Sequence, residues 1–71
     1  MSQWPSTRSR KVLLVLLRIG WFVKRQSGTS HKILSRNGWS DFVFAFHDGD
    51  EIGSKMLARI SKKTGLKPED L

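Results

Sequence analysis

The residues best suited to chemistry lie in one short stretch that ends at His31. Lys24 and Arg25 supply positive charge, Ser30 supplies a hydroxyl, and a glycine turn separates them from the imidazole. Cations and hydroxyls hold a phosphodiester, and a histidine, with an ordinary pKa of about 6.5, exchanges a proton near neutral pH. The stretch therefore favours phosphate chemistry, although a lone histidine at the start of a strand is more often a plain surface residue.

Other arrangements of reactive residues have weaker support. Ser30 and His31 are neighbours along a predicted strand and would point to opposite faces, which disfavours a nucleophilic pair. The acidic loop at residues 47–51 lacks the spacing of a calcium loop and has no second histidine. The chain contains no cysteine, which excludes disulfides and thiolate metal sites. We expect no metal and no cofactor.

Size and charge indicate a small domain with a polyanionic partner. The 71 residues predict one domain over 1–71, with a loose end at 1–5. The first 40 residues carry eight bases and no acid, whereas the rest carry five bases and six acids. Such one-sided positive charge favours nucleic acid as the partner, ahead of a membrane surface or an acidic protein. The apolar run 12–17 is too short to span a bilayer, so we expect no membrane partner and a soluble, cytoplasmic protein.

The spacing of apolar residues predicts a helix, three strands and a second helix. The first helix begins between Ser6 and Ser9 and ends at Ile19, before Gly20. The second begins at Ser54 and ends at Thr64, before Gly65. The predicted strands are 21–26, 30–36 and 39–46. This order predicts an α+β, α-β-β-β-α two-layer sandwich that resembles a double-stranded-RNA-binding domain.

Asn37-Gly38 is a strong hairpin signal between the last two strands, because both residue types tolerate positive φ. A two-residue loop pairs His31 with Phe44 and Ile33 with Phe42. This register places His31 on the phenylalanine face, at the rim of the core and partly shielded from water. It places Lys32 on the opposite face.

Regular alternation along the strand that precedes the glycine turn makes a further prediction about the cations. Arg25 then shares a face with Trp21 and Val23. Lys24, Arg25 and Lys32 therefore need not act on one phosphate together.

Motifs across the chain resemble the HicA (YcfA-like) family of mRNA interferase toxins. They comprise the run 20–26, Gly28, Ser30-His31, the strand end Phe46-His47, the helix start after Glu51-Ile52 and the helix end at Gly65-Leu66. The resemblance covers about residues 10–71. The turn reads Gly-Thr-Ser-His, one residue longer than the commonest form, so Thr29 is expected to alter how His31 is presented.

The resemblance implies a toxin of a toxin–antitoxin pair that cleaves mRNA, is neutralised by a HicB-type antitoxin and uses His31 as its catalytic residue. We expect a metal-independent endoribonuclease in which the RNA's own 2′-hydroxyl attacks the adjacent phosphorus. Lys24, Arg25, Ser30 and Lys32 are the expected RNA-binding residues. His47 or a lysine is the candidate for the second proton-transfer group.

Two alternatives use the same basic surface without catalysis. One is a non-catalytic RNA-binding module, which would bind RNA with steep salt dependence and leave it intact. The other is a basic protein-interaction domain that docks an acidic partner, and this is compatible with a toxin held by an antitoxin.

Overall fold

The predicted order of helix, three strands and helix is confirmed, with a second, very small sheet added. The computed structural model describes residues 3–28 and 30–71. In chain order the elements are β1 (Thr7–Arg8), α1 (Ser9–Arg18), β2 (Phe22–Ser27), β3 (His31–Ser35), β4 (Phe42–Ala45), β5 (Glu51–Ile52) and α2 (Ser54–Thr64), followed by a 3₁₀ turn at Pro68–Asp70. Within those ranges, neither helix has the length and apolar character needed to cross a membrane.

Helix α1 ends where the sequence predicts, in a Schellman motif. The Trp21 N–H donates to the Leu16 carbonyl at 3.0 Å, and the Gly20 N–H donates to the Leu17 carbonyl at 3.2 Å. These bonds satisfy carbonyls that the end of a helix otherwise leaves without partners. The motif turns the chain so that the Trp21 side chain is buried directly before β2.

Helix α2 packs against the same core and ends in a left-handed residue. Gly65 has φ +77° and its N–H donates to the Ser61 carbonyl at 2.9 Å. The Trp21 indole N–H donates to the buried Thr64 carbonyl at 3.0 Å. This bond ties the end of α2 to the chain just before β2, and so helps to fix the sheet against the helix.

The main sheet has the strand order β2-β3-β4 and is antiparallel throughout. One of its faces, which we call the inner face, carries Leu34 and Phe44 and packs against both helices. The fully or almost fully buried core consists of Val12, Val15, Leu16, Trp21, Leu34, Phe44, Ile52, Leu57, Ile60 and Leu66. The opposite face, which we call the outer face, is open to solvent, and its members His31, Val43 and Ala45 are exposed.

The sequence did not indicate the two-residue strands β1 and β5, which pair antiparallel as a separate sheet. They lie directly before α1 and α2. The Ser9 N–H donates to the Asp50 carbonyl at 2.8 Å, and the Ser9 hydroxyl donates to the His47 carbonyl. These contacts hold the acidic loop at residues 47–51 against the start of α1.

The Asn37-Gly38 turn is present, but the predicted strand register is wrong by one residue. Lys32 pairs with Phe44, and His31 pairs with Ala45. A type I′ turn needs positive φ at both central residues, and here Gly38 has φ +88° whereas Asn37 does not have a positive φ. The Trp39 N–H donates to the Arg36 carbonyl at 3.0 Å, and the strands pair only beyond a longer connection.

Candidate nucleic-acid interface and active site

His31 is the first residue of β3 and lies on the outer face of the sheet. It pairs with Ser27 on β2 and with Ala45 on β4, and its side chain is exposed. The prediction that His31 shares a face with the phenylalanines is therefore wrong. The reason is the one-residue register difference, because such a shift moves each side chain of a strand to the opposite face. The imidazole is open to solvent and not shielded at the rim of the core.

Arg25 reaches the outer face because β2 contains a bulge. Val23 pairs with Leu34 and Arg25 pairs with Ile33, which leaves Lys24 as an extra residue between two consecutive pairs. A bulge of this kind reverses the alternation of side chains beyond it. The prediction that Arg25 shares a face with Val23 is therefore wrong, and Arg25 lies two pairs along the strand from Ser27 and His31, on the same face.

These residues line one depression on the outer face. It has a volume of about 350 Å³, and its lining consists of Arg25, Ser27, His31, Ile33 and Val43. The polar groups come from β2 and the start of β3, and the apolar groups come from the middle of β3 and β4. The depression thus places a guanidinium, a hydroxyl and an imidazole around an apolar floor, within reach of a bound phosphodiester.

Ser30 lies at the edge of this arrangement. Its hydroxyl oxygen is 3.5 Å from the His31 Nδ1 atom, too far for a strong hydrogen bond. This distance fits a hydroxyl that borders the imidazole and does not fit an activated serine nucleophile. Thr29, the residue expected to alter the presentation of His31, lies outside the described residues.

Two of the predicted RNA-binding lysines do not line the depression. Lys24 donates a hydrogen bond to the Asp41 carboxylate at 2.9 Å, and both side chains are largely exposed. The hydrogen bond from Lys24 and its charge hold the pKa of Asp41 below its usual value, against an opposing effect of desolvation. Lys32 pairs with Phe44 and so belongs to the inner face. The prediction of its face is therefore wrong as well.

Ser27, Ile33 and Val43 are members of this site that sequence reasoning missed. Ser27 has a signal in the sequence, because a three-residue hairpin loop at 28–30 pairs it directly with His31. Ile33 and Val43 have no such signal. Their position follows from the register of β3 and β4, which the sequence did not determine.

The acidic loop does not assemble a metal site. Among residues 3–28 and 30–71, no three histidine, aspartate or glutamate side chains come together as metal ligands. The Asp50 carboxylate instead accepts a hydrogen bond from the His47 N–H at 2.9 Å. The Asp50 N–H donates back to the His47 carbonyl at 3.0 Å, so this side chain closes its own turn.

Comparison with known proteins adds one finding. The model of a family described as the HicA toxin of bacterial toxin–antitoxin systems matches residues 9–66. The matched range begins with α1, includes all the residues that line the depression, and ends just after α2. A comparison with curated proteins gave no match.

Proposed function

This chain belongs to the HicA family of toxins from bacterial toxin–antitoxin systems, and we propose that it acts as an endoribonuclease that cleaves mRNA. The observation that carries the proposal is the placement of Arg25 beside His31 on the open face of the sheet. A proton-transfer group and a cation on an accessible surface are two of the groups that cleavage of a phosphodiester uses.

The proposed reaction uses the RNA's own 2′-hydroxyl as the nucleophile. His31 accepts the proton of that hydroxyl while its oxygen attacks the adjacent phosphorus. The bond from phosphorus to the 5′-oxygen breaks, and the departing oxygen takes up a proton from a second group. The products are a 2′,3′-cyclic phosphate and a 5′-hydroxyl end. DNA lacks the nucleophile and is therefore not cut.

Arg25 is the proposed phosphate contact during this reaction. Its guanidinium can donate two parallel hydrogen bonds to phosphoryl oxygens, and it stabilises the charge that develops there. Ser27 and Ser30 add hydroxyls on either side of His31. Lys24 and Lys32 lie outside the depression, so their proposed contribution to RNA binding is general attraction of the polyanion.

His47 is the residue that we propose as the second proton-transfer group. It follows Ala45 by two residues, and Ala45 is the partner of His31 across β3 and β4. Two residues of extended chain cover about 7 Å, so the backbone at His47 is close to the same end of the sheet.

The decisive experiment compares the parent chain with His31→Ala on a single-stranded RNA. We expect the parent to leave cyclic-phosphate ends and to arrest growth, and the variant to do neither while its circular dichroism spectrum is unchanged. Lys32→Ala is the matched control, because Lys32 is the next residue of β3 but belongs to the other face. Cleavage by His31→Ala at the parental rate would refute the catalytic assignment.

A second comparison tests whether Arg25 contributes more to RNA cleavage than the other two cations do. Removing a cation from a solvent-open site should cost about 1–2 kcal/mol of transition-state stabilisation, a fall of about 5- to 30-fold in kcat/KM. We expect Arg25→Ala to show this loss and Lys24→Ala and Lys32→Ala to show smaller losses, largely in binding. Equal losses in all three variants would contradict the site, because they would indicate only a diffuse basic surface.

The family implies an antitoxin partner for this chain. We propose that the antitoxin is of the HicB type and neutralises the toxin by covering the outer face. Because its substrate would be mRNA, the proposed place of action is the cytoplasm. An RNA that is bound by the free toxin but never cut would favour the non-catalytic RNA-binding module.

A further inference from the structure

The outer face exposes an aromatic ring that the proposed reaction does not use. Phe22 is the first residue of β2 and pairs with Ser35, which lies two residues beyond Ile33 on β3. Residues two apart on a strand share a face, so Phe22 belongs to the same face as His31. Its side chain is 54% exposed.

Phe22 continues an apolar strip that leads to His31. Ile33 lies between them on the neighbouring strand, and Val43 beside it is 55% exposed. The charged neighbours of the strip are Arg25 on β2 and the Lys24–Asp41 pair, which joins β2 to the residue before β4 across β3. Exposed apolar surface of this kind next to a functional site generally marks contact with a ligand.

The distances fit a strand of RNA that lies along the sheet. Ser35, the partner of Phe22, is four residues from His31, which corresponds to about 13 Å along β3. Arg25 lies between the two positions. A phosphate at His31 and Arg25 would therefore place a neighbouring base near Phe22, with the sugar–phosphate chain running past the guanidinium.

From this arrangement we propose that Phe22 is a base-stacking site for a nucleotide flanking the cleaved phosphodiester. The inference rests on the proposed function, because it takes RNA to be the ligand. Aromatic rings stack on unpaired bases of any identity, and single-stranded segments are where such bases are available. The site therefore selects single-stranded RNA over duplex, with little preference for sequence at that position.

Charge favours RNA over a protein segment on this strip. The Asp41 carboxylate is engaged by Lys24, whereas Arg25 makes no ion pair within residues 3–28 and 30–71. The free positive charge thus lies beside the aromatic ring and the imidazole. In RNA a phosphate can contact the cation while a neighbouring base contacts the aromatic ring, so RNA matches a surface that carries both groups.

The test measures RNA binding separately from cleavage. A short single-stranded RNA with a fluorescent aminopurine base is titrated with the His31→Ala protein, and anisotropy gives the affinity while quenching reports stacking. We expect Phe22→Ala to weaken binding about tenfold and to abolish quenching at one position of the RNA. Phe22→Trp should keep both properties.

Two further variants make the result specific. Phe22→Leu keeps an apolar side chain without a ring, and we expect it to lose quenching like Phe22→Ala. Leu14→Ala is the matched control, because Leu14 on α1 is 53% exposed but lies away from the sheet, and we expect no change. In the active protein, Phe22→Ala should raise KM with little change in kcat.

Unchanged affinity and quenching in Phe22→Ala would overturn the proposal and leave the strip to a protein partner. Retention of both by Phe22→Leu would also overturn it, since stacking would not be involved. Failure of the proposed function gives a different result: either the parent and His31→Ala cut RNA at the same rate, or the parent does not cut RNA. In either case the anisotropy and quenching data would still show whether Phe22 stacks on RNA, but they would no longer relate that contact to a cleaved phosphodiester.

Discussion

Gly65 combines a left-handed backbone conformation with a close neighbour at the position that a Cβ atom would occupy. It has φ +77°, and a Cβ atom there would lie 2.9 Å from Cη2 and 3.2 Å from Cζ2 of Trp39. Alanine in this backbone conformation costs about 1–2 kcal/mol. Trp39 is 42% exposed and can move, but moving it disturbs the edge-to-face contact with Trp21 at 6.0 Å, worth about 0.5–1.5 kcal/mol.

We therefore expect Gly65→Ala to lower the free energy of unfolding by about 1–3 kcal/mol, after a small offset from the stiffer unfolded chain. Two glycines separate the causes. Gly38 has φ +88° with open space around it, so Gly38→Ala should show only the backbone cost of about 1 kcal/mol. Gly49 has neither a positive φ nor a close neighbour, so Gly49→Ala should lie within about 0.5 kcal/mol of the parent.

Urea unfolding followed by tryptophan fluorescence measures all three variants, with unchanged slopes required for the comparison. If Gly65→Ala and Gly38→Ala lose the same stability, the contact with Trp39 contributes nothing. If Gly65→Ala matches Gly49→Ala, the backbone reasoning is refuted. RNA cleavage per folded molecule should be unchanged in Gly65→Ala, because Gly65 does not line the depression.

Three other predictions concern the site and the strand that carries it. Cleavage should persist in EDTA because the proposed scheme moves protons through side chains, and a loss restored by a divalent ion would contradict it. The folded-state pKa of Asp41 is lowered, so its pair with Lys24 stabilises the fold at neutral pH. This stabilisation is lost as the pH falls through the lowered pKa, which lies below 3.8. The difference in urea midpoint between the parent and Lys24→Gln should therefore shrink in acid. Deleting Lys24 should keep the sheet and the site, since the Val23–Leu34 and Arg25–Ile33 pairs then become consecutive, and cleavage should fall no further than in Lys24→Ala.

The helices could be predicted because their ends depend on local chemistry. The glycines at 20 and 65 stop α1 and α2 at the predicted turns, whatever the rest of the chain does. The hairpin at Asn37-Gly38 was predictable for the same reason. Its register was not, because Asn37 tolerates positive φ without requiring it, and the choice between turn types depends on how the strands pack.

The bulge at Lys24 had no signal in the sequence. Nothing in the run 22–27 distinguishes an extra residue from a regular strand, because each position is exposed and none is fixed by an apolar pattern. The family resemblance identified His31 and Arg25 as members of one motif, but only the pairing of β2 with β3 shows them on one face. Residue types could thus identify members of the site but not their geometry.

The pairing of β3 with its two neighbours, regular on the β4 side and interrupted by a bulge on the β2 side, produces the arrangement at His31. The register between β3 and β4 turns His31 away from the core, and the bulge in β2 turns Arg25 away from the face of Val23. With the predicted register and a regular β2, both side chains would lie on the inner face, where the helices pack. The register turns the His31 imidazole to solvent while it places Lys32 on the inner face, and the bulge brings Arg25 to the same open face as that imidazole.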